Sequence, residues 1–290
     1  MTENSNRNLA TAREEWSYPM VSAREAAWIA LVACLVAGCL FPSLEGFSAI
    51  GNTDGGNLGD AATDGDAGPL NCPNASDPTL EAYYRLNEGT GTLAADCSPH
   101  GRNGMMVNDA GAWTTGLDGS ALVVSSADGG TGCIDVPTFP NITGALTVTA
   151  WVRVDKAPPV DDPGFIVAKS YNLNTEGWRV SSQATDYGFT LGGIGDAGLD
   201  QFGSNAMLQI GVWTYVTMVF DPTTHDSIYI NGALDMTKAS PAATVMSNAD
   251  LRIGCRGDNA SITFFDGALD EVRIYSRALS ATEIMALYVP

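Results

Sequence analysis

Short runs of alternating apolar and polar residues recur along the chain from about Leu80 to the C-terminus. In the clearest run, Leu146–Val154, every second residue from Leu146 onward is apolar and the intervening positions are Thr, Trp and Arg. A period of two is typical of a β-strand with one face on the core. Trp213–Phe220 also alternates, but both of its faces are apolar or aromatic, which predicts a central strand covered on both sides.

Further short apolar runs are separated by turns rich in Gly, Asp, Asn and Pro. The run Ser227–Asn231 leads into Gly232, and Asn-Gly is the strongest short signal of a β-hairpin. Such runs without intervening helices predict an all-β, antiparallel sandwich or barrel. The other predicted strands are Ala82–Leu86, Ala121–Val124, Phe165–Lys169, Trp178–Val180, Leu251–Ile253 and Glu271–Tyr275.

One short helix is predicted near the C-terminus. Ser280 is followed three residues later by Glu283, which is the spacing of a capping box, and the apolar residues Ile284, Met285 and Leu287 come next. We expect this helix to pack one turn against the sandwich.

The residues before this domain predict export. Ala26–Phe41 is uncharged over sixteen residues, which is short for a membrane-spanning helix of about 20 residues. It has the length of a signal-peptide core, and Arg24 supplies the positive flank. The run contains Leu35-Val36-Ala37-Gly38-Cys39, which resembles a bacterial lipobox and implies cleavage before Cys39 and lipidation of its thiol. An ordinary signal peptide or an uncleaved anchor is the alternative.

The organisation predicted around this signal has three parts. Residues 1–38 form the signal peptide; because residues 1–19 are polar and acidic, we expect the true start at Met20. Residues 39–79 form a lipidated N-terminus and a flexible tether rich in Gly and Asp, which has almost nothing to bury. Residues 80–290 form the sandwich. The expected location is the bacterial cell envelope, with the outer membrane or the cell surface as candidates and membrane contact through the lipid only.

The charge of the chain narrows the classes of partner. The 33 acidic residues outnumber 14 Lys and Arg residues, giving a formal net charge of −19. This charge argues against binding to nucleic acid or to anionic lipid surfaces. It is compatible with divalent cations or neutral sugars as partners, although the charge pattern favours a simple solvated acidic surface.

Four cysteines follow the predicted signal: Cys72, Cys97, Cys133 and Cys255. Export would place them in an oxidising compartment, and four cysteines allow three pairings. We favour Cys72 with Cys97, the most local pair, which leaves Cys133 with Cys255. The sequence contains two histidines and lacks CxxC or Cys/His metal spacing, so a zinc site is not predicted.

The order of landmarks resembles the laminin G-like, concanavalin A-like jelly-roll family over about Leu80–Tyr288. The most specific part is the closing segment Asp270-Glu271-Val272-Arg273-Ile274-Tyr275-Ser276-Arg277-Ala278-Leu279-Ser280. The resemblance implies two antiparallel sheets packed face to face. The other landmarks are Tyr84–Gly89, Asp96-Cys97-Ser98, Asn103-Gly104, Ala121-Leu122, Ala150-Trp151-Val152, Trp213–Val216, Tyr229–Gly232 and Phe265-Asp266-Gly267.

This resemblance also raises a calcium ion as a cofactor. Some members of the fold hold calcium with acidic side chains and backbone carbonyls, and Asn87 and Asp270 are the candidate ligands here. Family members commonly have Asp where this chain has Asn87, which weakens a charged site.

Catalysis is not predicted. Glycosidases need two carboxylates on one face, about 5 to 9 Å apart. The Glu-x-Asp-x-x-Glu strand pattern of the sandwich glucanases is absent, and so is a Gly-x-Ser-x-Gly elbow. Trp151 and Trp213 lie within alternating strands, so we expect them to pack rather than to bind a ligand.

The expected function is therefore recognition or adhesion at the cell surface, with a glycan or an envelope or extracellular protein as partner. Rigid sandwiches carry recognition on their connections, so the candidate loops are Pro158–Gly164, Tyr171–Gly177 and Asp196–Asn205. A structural envelope lipoprotein and a degenerate glycoside hydrolase are the alternatives. The candidate residues for sugar stacking or hydrogen bonding are Tyr171, Asn172, Asn174, Trp178 and Phe202.

Overall fold

A computed structural model describes residue 72 and residues 76–107, 112–127, 132–171, 176–194, 198–240, 246–258 and 261–289. All of them belong to the second of two units of the chain, Thr63–Pro290. The predicted signal peptide, Cys39, most of the tether, Asn172 and Asn174 lie outside the described residues. Within the part that the structure describes, no helix is both long enough and apolar enough to span a membrane.

The described chain forms two packed antiparallel sheets and one short helix, which confirms the predicted jelly-roll sandwich. The first sheet has the order β14-β13-β12-β7-β18-β5-β4, with β1 also paired to β18. The second has the order β11-β10-β9-β8-β15-β6-β3-β2, and β16 and β17 form a separate hairpin. The elements are β1 Leu80–Tyr84, β2 Leu93–Ala94, β3 Gly104–Val107, β4 Ala112–Thr115, β5 Ser120–Val124, β6 Cys133–Val136, β7 Leu146–Val154, β8 Gly164–Lys169, β9 Trp178–Ser182, β10 Tyr187–Ile194, β11 Gly198–Gly203, β12 Trp213–Phe220, β13 His225–Ile230, β14 Ala233–Ala239, β15 Leu251–Ile253, β16 Cys255–Asp258, β17 Ser261–Phe264, β18 Gly267–Tyr275 and α1 Ala281–Leu287.

The strongest sequence pattern forms the centre of the first sheet. β7 pairs with β12 along its length, from Arg153 opposite Trp213 to Leu146 opposite Phe220. Alternate residues of β7 point between the two sheets, where they meet residues such as Phe189 from β10. This burial of alternate positions is what the period of two predicts.

The outer face of β7 is also buried, which the alternation of β7 by itself did not predict. Trp151 and Tyr215 belong to a second apolar cluster on that face, together with Ile284 of α1. Tyr288, directly after α1, stacks on Trp151 with ring centroids 5.4 Å apart. The C-terminal segment therefore covers a sheet face that the alternation alone assigned to solvent, and the packing role of Trp151 is confirmed.

Two local signals behave as their chemistry requires. The Ser280 hydroxyl accepts from the Glu283 backbone N–H, and the Glu283 carboxylate accepts from the Ser280 backbone N–H, which completes the capping box. Asn231 and Gly232 have φ angles of 52° and 77°, as a type I′ hairpin turn needs.

Both disulfides that the sequence analysis favoured are present. Cys72 is bonded to Cys97, with Cα atoms 5.2 Å apart. Cys133 of β6 is bonded to Cys255 of β16, with Cα atoms 5.4 Å apart, and closes a separation of 122 residues. The second bond joins the β16–β17 hairpin to the second sheet.

Candidate functional site

A cleft of about 370 Å³ opens at the end of the sandwich where β5 and β7 end and β8 and β18 begin. We call it the end cleft. One wall is the β7–β8 loop, which contributes Lys156, Pro158 and Asp162. Ser126, Phe264 and Asp266 line it from other segments, together with Gly164 and Ser182.

Asp266 holds the segments of the end cleft together. Its two carboxylate oxygens accept from the backbone N–H and the hydroxyl of Ser126, each at 2.7 Å. Its main-chain oxygen accepts from the N–H groups of Asp155 and Lys156, at 3.0 and 3.4 Å. The Lys156 ammonium lies 3.9 Å from the carboxylate. The lining therefore combines an aromatic ring, hydroxyls, carboxylates and one ammonium group.

The candidate calcium ligands lie in a second region, separate from the lining of the end cleft. Asp270 accepts a hydrogen bond from the Leu117 N–H at 2.9 Å, and Asn87 accepts one from the Ser120 N–H at 2.9 Å. Both side chains thus grip the loop of residues 116–120. Glu271, next to Asp270, has a left-handed φ of 53° at a β-bulge. Such backbone strain in a non-glycine residue is often found at functional sites.

Two glycines allow the loop to approach these side chains. A Cβ atom at Gly116 would lie 2.5 Å from Asp270 Oδ2, and one at Gly119 would lie 2.7 Å from Asn87 Oδ1. Gly119 also has a positive φ of 83°. A larger residue at either position would separate the loop from the two oxygen donors.

The Asp270 carboxyl is buried and incompletely paired. Burial raises its pKa to about 7, and the nearby charges of Glu271 and Asp118 act in the same direction. Asp270 Oδ1 has no hydrogen-bond partner among the described residues. An orphaned carboxylate oxygen, on a side chain that holds the same loop as the Asn87 amide oxygen, fits a hard cation such as calcium, which prefers oxygen ligands. The described residues contain no group of three His, Cys, Asp or Glu side chains able to hold a metal, so main-chain oxygens would have to complete the set.

Two of the predicted sugar-binding residues belong to the core. Trp178 is 3% exposed, because it faces between the sheets from β9. Phe202 is 8% exposed and packs edge-on against Phe189, at 5.9 Å between ring centroids. A stacking role for either ring is therefore wrong. The predicted loop Asp196–Asn205 also proves to contain a strand, β11.

Tyr171 remains available, because its side chain is partly exposed. Its hydroxyl donates to the Asn248 main-chain oxygen at 3.3 Å. Tyr171 follows the end of β8, whereas the end cleft lies at the start of that strand. The structure therefore does not bring Tyr171 together with Pro158–Gly164 in one site. Of the residues that do line the end cleft, Ser126 and Phe264 carry no recognisable sequence signal.

The comparisons with known proteins concern the same domain. Residues 128–285 match the family model Laminin_G_3, described as the concanavalin A-like lectin/glucanases superfamily. No curated protein matches the chain significantly.

Three similar solved structures are two toxin binding domains and one domain of an arabinanase. The binding domain of Paraclostridial Mosquitocidal Protein 1 has a TM-score of 0.54 and 17% identity, over 70% of this chain and 52% of that chain. The binding domain of botulinum neurotoxin DC, solved with rat synaptotagmin II, has a TM-score of 0.51 and 16% identity, over 70% and 52%. This chain thus spans about half the length of those two. Domain 4 of AbnA, a GH43 extracellular arabinanase from Geobacillus stearothermophilus solved with arabinotriose, has a TM-score of 0.55 and 18% identity, over 73% and 98%.

Proposed function

Because the chain belongs to the concanavalin A-like lectin/glucanases superfamily, we propose that its sandwich is a non-catalytic cell-surface recognition module that binds a glycan in the end cleft. The observation that carries this proposal is the lining of the cleft. It places the Phe264 ring beside hydrogen-bonding groups of both kinds, with Lys156 as a donor and Asp162 as an acceptor. Ligand sites commonly combine an apolar wall with a few polar groups that orient the ligand.

Sugars match this chemistry because each ring carries an apolar C–H face and several hydroxyls. The ring of Phe264 can cover the C–H face, while carboxylate oxygens accept from hydroxyls. The proposal also agrees with the relatives, since domain 4 of the arabinanase was solved with arabinotriose. The two toxin structures are binding domains, which supports a role without catalysis.

A protein partner is the second candidate, because one similar toxin domain was solved with rat synaptotagmin II. A purely structural envelope role and a degenerate glycoside hydrolase are further alternatives. A glycan array probed with calcium and with chelator distinguishes between these candidate functions. Binding to defined glycans supports the proposal, whereas a clean negative with co-purifying envelope proteins favours the alternatives. Turnover of a polysaccharide would contradict any non-catalytic role.

Asp162→Ala should weaken binding to the glycan that the array identifies by about tenfold to a hundredfold, because a hydrogen bond to a charged group contributes about 1.5–3 kcal/mol. Asp161→Ala is the matched control, since Asp161 is the neighbouring carboxylate and does not line the end cleft. Isothermal titration calorimetry gives both affinities. Equal affinities for the two variants would place the ligand elsewhere.

We also propose that the Asp270 locus binds calcium, with Asn87 as a second ligand. The ion would supply positive charge to a carboxyl that is otherwise buried with one oxygen unpaired. Bound calcium would fasten β18 to the loop of residues 116–120.

Calcium at a hundredfold excess over its dissociation constant should raise the free energy of unfolding by about 3 kcal/mol, since it binds the folded state. Thermal denaturation with calcium and with chelator measures this. Asp270→Asn should remove the calcium response. Asp226→Asn, which changes another buried carboxyl, should retain it. An unchanged response in Asp270→Asn would show that calcium binds elsewhere.

We further propose that Cys39 is lipidated and anchors the domain to the cell envelope. The two disulfides support export to an oxidising compartment. The wild-type protein expressed in a bacterial host should partition into the membrane fraction, and Cys39→Ser should not. Mass spectrometry of the mature N-terminus should find a diacylglyceryl cysteine, and an unmodified Cys39 would contradict the anchor.

A further inference from the structure

The charges around the end cleft are unbalanced. The β7–β8 loop carries Asp155, Lys156, Asp161 and Asp162. Arg153 pairs with Asp155, with Nε and Oδ1 2.8 Å apart, and Lys156 lies 3.9 Å from Asp266. Arg153 and Lys156 are the two cations of β7 and the β7–β8 loop, both of which the structure describes in full, so each of these cations already has an acidic neighbour.

Asp161 and Asp162 therefore lack a balancing charge. Neither takes part in any ion pair formed among the described residues. The protein as a whole has a formal net charge of −19, which reinforces the negative potential at the mouth of the cleft. A ligand entering the cleft meets one ammonium group, Lys156, and the carboxylates of Asp162 and Asp266, so the lining has a net negative charge that repels another anion.

We propose that the end cleft selects uncharged glycans and rejects glycans that carry carboxylates, such as uronic and sialic acids. This inference rests on the proposed function and names the substrate class of the same site. Hydroxyls of a neutral sugar donate to Asp162 without a charge penalty, whereas a ligand carboxylate near Asp162 is repelled, most strongly at low salt. The volume of about 370 Å³ lies at the lower end of ligand pockets, which span roughly 300–1,000 Å³, and suits one or two sugar rings.

The test compares sugars that differ only in charge. Trisaccharides of glucose, galactose and mannose are titrated against the protein beside the glucuronic, galacturonic and mannuronic acid trisaccharides of the same linkage. The wild-type protein should bind at least one neutral trisaccharide tenfold or more tightly than its acidic counterpart at low salt. The difference should shrink at high salt, because mobile ions screen exposed charges.

Charge-neutralising variants show whether the selection against acidic sugars comes from the carboxylates at the end cleft. Asp161→Asn combined with Asp162→Asn should narrow the neutral-to-acidic ratio severalfold, through a gain in affinity for the acidic sugar. Glu176→Gln is the control for net charge, because Glu176 lies beyond the opposite end of β8. It should leave the ratio unchanged.

The outcomes are distinguishable from those of the proposed function. Acidic sugars that bind as tightly as neutral ones at low salt would overturn the charge selection and leave glycan recognition standing. Charge selection by the cleft would also be overturned if Glu176→Gln changed the neutral-to-acidic affinity ratio as much as Asp161→Asn with Asp162→Asn does. The selection would then come from the net charge of the protein and not from the cleft. Absence of binding to every sugar, in a protein whose melting curve is normal, would overturn both.

Discussion

Replacing Cys133 and Cys255 together by alanine should lower the free energy of unfolding by about 5 kcal/mol, since chain entropy makes the stabilisation grow with the length of the closed loop. The two residues are separated by 122 positions, and both are buried. Alanine fits these positions without leaving a polar group in the core. The loss is large, because folded domains are stable by only about 5–15 kcal/mol in total. Urea denaturation of the variant beside the wild type measures it.

The other disulfide provides the matched control. Cys72 and Cys97 are separated by 25 positions, so their joint replacement should cost only about 3.5 kcal/mol by the same chain-entropy relation. Both double variants should keep the β-rich circular dichroism spectrum under native conditions. A Cys72/Cys97 variant that proves as unstable as the Cys133/Cys255 variant would contradict the loop-length explanation. The comparison would also show which of the two bonds contributes more to the stability of the sandwich.

Asp226→Asn should stabilise the protein at neutral pH by about 3 kcal/mol at most. The Asp226 side chain is fully buried, on the inward-facing side of β13 that also carries the core residue Ile228. Burial raises its pKa from 3.8 to about 6; the Asp221 charge adds to this shift, and Ser240 and His225 oppose it. Above about pH 6 the folded protein therefore has to hold a buried anion, whereas asparagine is neutral at every pH.

The sign of the pH dependence follows from proton binding. The folded protein holds the Asp226 proton more tightly than the unfolded chain does, so this residue makes stability fall as pH rises from about 4 to about 6. The stability difference between Asp226→Asn and wild type should grow through this window and then level off. Urea denaturation at several pH values, in chelator, measures the difference. A constant difference from pH 4 to pH 7 would show that the Asp226 carboxyl is not held neutral by the fold.

Asp221→Asn should change stability in the opposite direction. Its carboxylate accepts from the N–H and hydroxyl of Thr223 and from the hydroxyl of Thr224, and these bonds lower its pKa despite some opposing burial. Its contribution is present above about pH 4 and is lost as pH falls. Asp221 and Asp226 lie five residues apart and have opposite effects. The ionised Asp221 carboxylate stabilises the folded protein, whereas the ionised Asp226 carboxylate destabilises it.

Several elements of this fold follow from local sequence alone. The bounds predicted for β7, β12 and β15 agree with the structure, because each run carries its own period of two or its own apolar character. The Asn231-Gly232 turn and the Ser280 capping box follow for the same reason, since the residues that form them are at most three positions apart. The edge strand β14 was missed, because most of its residues are exposed or half-buried and show no apolar alternation.

Tertiary structure decided which faces are covered. Period-two alternation distinguishes the two faces of a strand but does not show what lies over each. Trp178 and Phe202 therefore resembled surface aromatic residues in sequence and proved to be core, while α1 buried the outer face of β7. Asp226 is also buried for a reason that its residue type does not reveal, because the alternation of β13 places its side chain inward in spite of its charge.

The candidate sites show most clearly which features the local sequence predicts and which depend on tertiary contacts. The family resemblance suggested Asn87 and Asp270 as calcium ligands, and the turn residues between two predicted strands indicated the loop Pro158–Gly164. The sequence did not show that Asn87 and Asp270, far apart in the chain, grip one loop, or that Ser126 and Phe264 join the β7–β8 loop around a cleft. What the sequence determined by itself is an all-β sandwich with local turns and caps, because those depend on neighbours. The sites depend on contacts across 100 or more residues, and only the pairing of the sheets brings such residues together.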